Sequence, residues 1–141
     1  MITSTSKTST SQAWGITLIR AIVGIVFLMH GGQKLFVWGF HNVAGFLGHI
    51  GVPLPGVAAV LLTLVEFLGG AALLIGVLTR AAAALLAIDM LVAVLRVHGK
   101  NGLFLPNGFE YALTLLIANI ALVVGGSGAL AIDNAIAGRH E

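Results

Sequence analysis

Residues 57–78 run for 22 positions with a single charged side chain, Glu66. A helix of that length rises about 1.5 Å per residue and covers the roughly 30 Å of hydrocarbon in a bilayer. Three further apolar stretches, at about 13–34, 80–98 and 109–126, repeat the pattern, with Arg20 in the first and Asp89 in the second. Composition agrees: hydrophobic residues make up 58% and charged residues 9% of the 141, where an ordinary soluble domain carries about 25% charge. So few charges cannot cover the surface of a soluble chain this small, and its apolar exterior must face lipid. The same figures exclude a disordered chain, a nucleic-acid binder and a disulfide scaffold. With no cysteine, thiol chemistry, Cys-ligated iron–sulfur clusters and covalent c-type haem are also excluded. The expected fold class is all-α, an integral membrane four-helix bundle with a short interfacial helix between the first and second spans.

The organisation follows from where apolar runs stop. Residues 1–12 are a Ser/Thr-rich polar tail, 13–128 form the four-span domain with spans at about 13–34, 56–78, 80–98 and 109–126, and 129–141 form a surface tail. The run from Ala13 to Met29 is followed by His30-Gly31-Gly32-Gln33-Lys34 rather than a small-residue cleavage site, so it reads as a retained span. The connection 35–55 is the longest. Phe36, Trp38 and Phe40 suit the interface, and Asn42 is expected to cap a short helix from Val43 to Ile50 that Gly51 and Pro53 stop. Four spans put both termini on one side. Lys7, Arg20, Arg80 and Arg139 lie toward that side, against Lys34, Arg96 and Lys100 opposite, which by a margin of one favours cytoplasmic termini. Arg20, Arg80, Arg96 and Lys100 read as snorkelling anchors, and Gly69-Gly70 as a close helix approach.

Counting along the spans, His30, Gln33, Lys34, His98, Glu110 and Tyr111 converge on the face opposite the termini, with Glu66 deeper, toward the midplane. His30 and Lys34 are four residues apart and share a helix face. Asp89 reads as a partner in helix–helix hydrogen bonding. A carboxylate at membrane depth is costly unless it is paired or functional, which makes Glu66 the sharpest candidate and a structural ion pair its plainest alternative.

In order and spacing, Phe27-Leu28-Met29-His30-Gly31-Gly32-Gln33-Lys34-Leu35, Gly51-Val52-Pro53, Glu66-Phe67-Leu68-Gly69-Gly70, Gly76-Val77-Leu78-Thr79-Arg80, His98, Asn107-Gly108-Phe109-Glu110-Tyr111 and the ending Gly126 to Asp133 resemble the DoxX family of small four-helix membrane proteins. The resemblance covers about residues 14–133 and departs at Ser127-Gly128 and Ala131, away from the polar cluster. It implies a bacterial inner-membrane protein associated with quinone chemistry, with oxidoreductase complexes and with oxidative stress. The family positions that match are His30, Lys34, Glu66, Arg80, His98 and Glu110.

The expected function is therefore a quinone- or redox-associated membrane subunit. Glu66, His98 and Glu110 would move protons, and His30, Gln33, Lys34 and Tyr111 would contact a headgroup. A quinone is the candidate cofactor. No flavin or dinucleotide fingerprint is present, so electrons would come from a redox partner protein or the substrate. A bis-histidine haem is disfavoured because His30 and His98 both sit at helix ends, and the absence of HExxH or a close His/carboxylate repeat argues against a metal site. The expected partners are the bilayer and a redox protein or a second copy. Two other readings stay open, a non-catalytic accessory of an oxidoreductase complex and a small ion or solute transporter, as does whether the chain is itself an enzyme.

Overall fold

The computed structural model describes residues 9–138. Lys7, Arg139 and most of the polar tail, which entered the charge count above, lie outside them. The chain is all-helical among the described residues. Helix α1 spans Thr10–Gln33, α2 Gly39–His49, α3 Pro55–Ile75, α4 Thr79–Val92, α5 Glu110–Gly125 and α6 Ile132–Ala137. Two π-helical segments, Lys34–Trp38 and Ala93–His98, extend α1 and α4, and a 3₁₀ turn, Gly99–Asn101, follows the second. Helices α1, α3 and α4 with their extensions are long and apolar enough to cross a membrane, and α5 is shorter. Large apolar side chains such as Leu18, Leu61, Leu68, Ile88 and Ile117 point outward, as lipid contact requires.

Local chemistry explains the helix ends. Ser9 and Gln12 form a reciprocal capping box, so α1 begins three residues before the apolar run. Pro55 occupies the first turn of α3, where its missing N–H costs nothing. The connection read as 35–55 is corrected. The helical path runs on through Lys34–Trp38 and breaks only at Gly39, where φ is +75°, a conformation glycine adopts without penalty. Helix α2 therefore starts at Gly39 rather than Val43. Asn42 does not cap it; Asn42 Nδ2 donates back to the Trp38 carbonyl at 2.7 Å.

The bundle pairs α1 with α3 and α4 with α5, and α2 folds against α3. The α1–α3 seam is built on missing side chains. A Cβ at Gly70 would strike the Leu28 backbone, one at Gly31 the Phe67 backbone, and one at Gly24 would sit 2.7 Å from the Leu74 nitrogen. Gly69 faces Leu86 of α4 instead. The core behind the seam is Val23, Phe27, Leu73, Leu86, Met90, Leu116 and Leu122.

At the terminal face, charged groups close three helix ends. Arg20 is not a snorkelling anchor: it is 2% exposed, donates from Nη1 to the Leu73 carbonyl at 2.8 Å and from Nη2 to the Leu130 carbonyl. Those are last-turn carbonyls of α3 and the segment leading to α6, so the cation meets the negative end of the helix. Arg80 Nη1 does the same for α5 through the Val123 carbonyl at 2.9 Å. Asp133 accepts from the amides of Leu78 at 2.7 Å and Thr79 at 2.9 Å and so caps α4 from the far end of the sequence.

Burial alone would raise the Asp133 carboxyl, but the hydrogen bonds from Thr79 and Leu78 and the Arg20 charge outweigh it and hold the group below the ordinary carboxylate range. A carboxyl depressed in the folded state contributes stability that is complete above its unfolded value and is lost as pH falls through the folded one. Asp133→Asn leaves one acceptor oxygen for the two amides and should cost about 1 kcal/mol at neutral pH, in the range of a lost hydrogen bond. It should also flatten the acid limb of the melting curve recorded in detergent. Parallel acid limbs in the two proteins would remove Asp133 from that role.

Candidate functional site

A cavity of about 470 Å³ opens in the half of the bundle away from the termini. Its wall is mainly apolar, with Phe27, Val43, Phe46, Leu47, Met90 and Leu115 among its lining, and its polar members are His30, Lys34, Asn42, Glu66, Asp89, His98 and Tyr111. An apolar pocket with a few convergent polar groups is the ordinary form of a small-molecule site. Both π segments line it: Lys34 and Trp38 come from the first, Ala93, Val97 and His98 from the second. A π turn inserts a residue into an α-helix and re-aims the side chains beyond it, and such turns concentrate at functional sites.

One polar feature of the cavity wall is an ion pair. Lys34 Nζ lies 2.6 Å from Glu66 Oε2, with the two side chains 14% and 5% exposed. Lys34 also stands 5.9 Å from the centre of the Trp38 ring. Asp89 of α4 adjoins Glu66, and its Oδ2 is buried with no hydrogen-bond partner. Three helical elements thus bring two carboxyls and one amine together.

The histidines are set by backbone carbonyls. His30 Nδ1 donates to the Val26 carbonyl at 2.8 Å and His98 Nδ1 donates to the Asn107 carbonyl at 3.0 Å. A carbonyl only accepts, so the proton sits on Nδ1 in each ring. Each Nε2 is left without a protein partner among the described residues, an acceptor while the ring is neutral and a donor once it is protonated. The His30 and Tyr111 rings lie 6.3 Å apart, tilted by 36°.

Of the residues singled out from the sequence, the structure gathers His30, Lys34, Glu66, His98 and Tyr111 around this cavity. Gln33 and Glu110 are not in its lining. Gln33 is exposed on the neighbouring face of α1. Glu110 Oε1 accepts from the Leu105 amide at 2.7 Å, and the Glu110 amide donates to the Leu103 carbonyl at 2.9 Å, so Glu110 closes the loop before α5. The sequence placed Lys34 near the surface and Glu66 beneath it; the long lysine stem reaches down and joins them. Asp89 belongs with this pair rather than to a generic helix contact. A carboxyl in an apolar run is visible in the sequence; its neighbour across the bundle is not.

The DoxX family model matches residues 15–99. A Bacillus subtilis protein named "Putative oxidoreductase CatD" is 34% identical over 119 residues, covering 84% of each chain. The Mycobacterium tuberculosis "Uncharacterized membrane protein Rv3486" is 33% identical over 135 residues, covering 88% of this chain and 82% of its own. The Escherichia coli "Inner membrane protein YqjF" is 32% identical over 124 residues, covering 84% and 89%. No solved structure matches. With the family model over residues 15–99 and relatives above 30% identity along most of the chain, this four-helix membrane protein belongs to the DoxX family.

Proposed function

We propose that the cavity receives the headgroup of a lipid-soluble quinone and that the chain is a redox-associated subunit of the bacterial inner membrane, with cytoplasmic termini. The observation that carries this reading is the cavity itself: about 470 Å³, apolar over most of its wall, with His30, Lys34, Glu66, Asp89, His98 and Tyr111 all in its lining. A quinone combines a flat apolar ring and tail with two opposed oxygens, and the cavity offers complementary groups for both. Tyr111 and the N–H groups of Lys34 not given to Glu66 donate to a quinone oxygen. The neutral Nε2 atoms of His30 and His98 accept from a quinol hydroxyl. When bound, the quinone supplies two-electron redox chemistry; the chain's own residues bind, orient and hold protons. The name of the Bacillus subtilis relative supports a redox role, and that of the Escherichia coli relative supports the inner membrane. Electrons would come from a partner protein or a second membrane subunit.

The test is quinone content after gentle purification from native membranes, comparing wild type with a folded His30→Ala/His98→Ala variant. We expect about one quinone per chain in the wild type and a loss of at least tenfold in the variant. Equal trace amounts in both would withdraw the headgroup site and favour a non-catalytic accessory role, in which the Lys34–Glu66 pair only holds the bundle together.

A further inference from the structure

We infer that Glu66 and Asp89 share one exchangeable proton at the cavity wall, and that Asp89 is the residue through which it passes to and from a bound headgroup. The second half of this inference rests on the quinone reading above; the first half does not. The cluster holds two carboxyls and one amine. Lys34 Nζ, 2.6 Å from Glu66 Oε2, neutralises one carboxylate. Asp89 approaches Glu66 from α4, and its buried Oδ2 accepts no hydrogen bond among the described residues. Two carboxylates lining one cavity inside an apolar bundle do not both stay ionised beside the Lys34 ammonium. One proton between them removes the excess charge, provides the hydrogen bond that the buried carboxyl lacks and leaves the Lys34–Glu66 pair in place.

The surroundings direct where that proton can go. The other titratable groups facing the pair across the cavity are His30 from α1, His98 from the second π segment and Tyr111 from α5, while α2 contributes only the neutral Asn42. Both histidines have committed Nδ1 to backbone carbonyls, and neither ring is hydrogen-bonded to Glu66 or Asp89. Within the protein the carboxyl pair and the imidazoles are therefore unconnected. A headgroup hydroxyl in the cavity is the link that would join them. Asp89 rather than Glu66 carries the exchange because Glu66 Oε2 is engaged by Lys34 Nζ at 2.6 Å, whereas Asp89 Oδ2 has no hydrogen-bond partner among the described residues.

Infrared spectroscopy tests this directly, since the chain has five Asp and Glu residues in all. Of these, Glu110 and Asp133 accept backbone hydrogen bonds at the two faces. In the full chain in lipid vesicles at neutral pH we expect the C=O stretch of about one protonated carboxyl per chain, shifted in heavy water. Asp89→Asn should abolish it while the near-isosteric amide keeps the fold. Glu66→Gln should abolish it too, because Asp89 then ionises beside Lys34. Adding a benzoquinol with a ten-carbon tail should shift the wild-type band. No protonated-carboxyl band in the wild type, or one untouched by Asp89→Asn, would overturn the shared proton. A band that both amide variants remove but that benzoquinol leaves unmoved would overturn the exchange role of Asp89 alone. If quinone then co-purifies with the wild type, the headgroup reading survives that result; if it does not, both fall together.

Discussion

Gly70→Val should leave almost no folded protein. Position 70 is where α3 lies against α1, and the added Cβ would fall against the Leu28 nitrogen, 2.8 Å from the Leu28 Cα and 2.8 Å from the Phe27 carbonyl carbon. These are backbone atoms, so no rotamer change relieves the clash and the two helices must separate. Inserting bulk into a packed interior commonly costs about 1–3 kcal/mol even where side chains can move; here the cost should exceed that range. Helices in lipid gain no hydrophobic driving force from each other and depend on close packing, so the seam has little in reserve. The control is Gly15→Ala on the partner helix α1, where an added Cβ meets nothing within 4 Å. That change should stabilise by about 0.5–1 kcal/mol, the helix-propensity difference. Monodisperse yield in detergent and the melting temperature measure both. A Gly70→Val protein that melts with the wild type would show that α1 and α3 do not meet as described.

The second large effect concerns the buried ion pair. Lys34→Met removes the one cation paired with this cluster among the described residues, leaving a carboxylate that is 5% exposed without its partner. Breaking a buried pair from one side costs about 3–5 kcal/mol, less whatever protonation of the stranded carboxyl recovers. Removing both sides is a different experiment. Lys34→Met/Glu66→Met replaces the pair by apolar groups of similar length, and such replacements are often neutral or stabilising. We therefore expect the double variant to regain most of the melting temperature lost in Lys34→Met and to lose ligand binding entirely. If the single variant were as stable as the wild type, water would have to reach Glu66 freely, and its burial to 5% exposure would not describe the protein in solution.

These two results probe different layers of the same molecule, and the layers differ in how well the sequence shows them. The four apolar stretches are legible because lipid imposes a length and excludes charge, and both are properties of a linear run. The approach at Gly69-Gly70 is legible as a small-residue pair, although the sequence does not say that Gly70 meets α1 while Gly69 meets Leu86. His30 and Lys34 are legible as neighbours because four residues make one helical turn. Gln33 shares their end of the helix but sits one residue from Lys34, and one residue is about 100° around a helix, enough to turn it outward. Glu110 shares their depth, and depth does not distinguish a wall from a loop closure.

Three features lie outside any reading by period. The π segments at Lys34–Trp38 and Ala93–His98 carry no residue pattern that sets them apart from a regular helix, and only the packing of the surrounding helices decides that an extra residue is accommodated in those turns. Arg20 reads as an ordinary membrane-edge arginine, yet it is buried because the last carbonyls of α3 and that of Leu130 need donors where it sits. Asp133 caps a helix that begins 54 positions earlier, a pairing between residues that share no local pattern.

What the sequence determined by itself is the solvent and the architecture. Long apolar runs with few charges specify lipid, lipid forces backbone groups to bond within each helix, and four such helices must bundle. What only the tertiary structure decided is which polar groups share a site. Lys34, Glu66 and Asp89 lie on three elements and up to 55 positions apart, so no periodicity links them. They meet because glycines at the α1–α3 seam let the backbones close, and because a charge buried in an apolar bundle is tolerated only where the fold brings its counter-charge within reach.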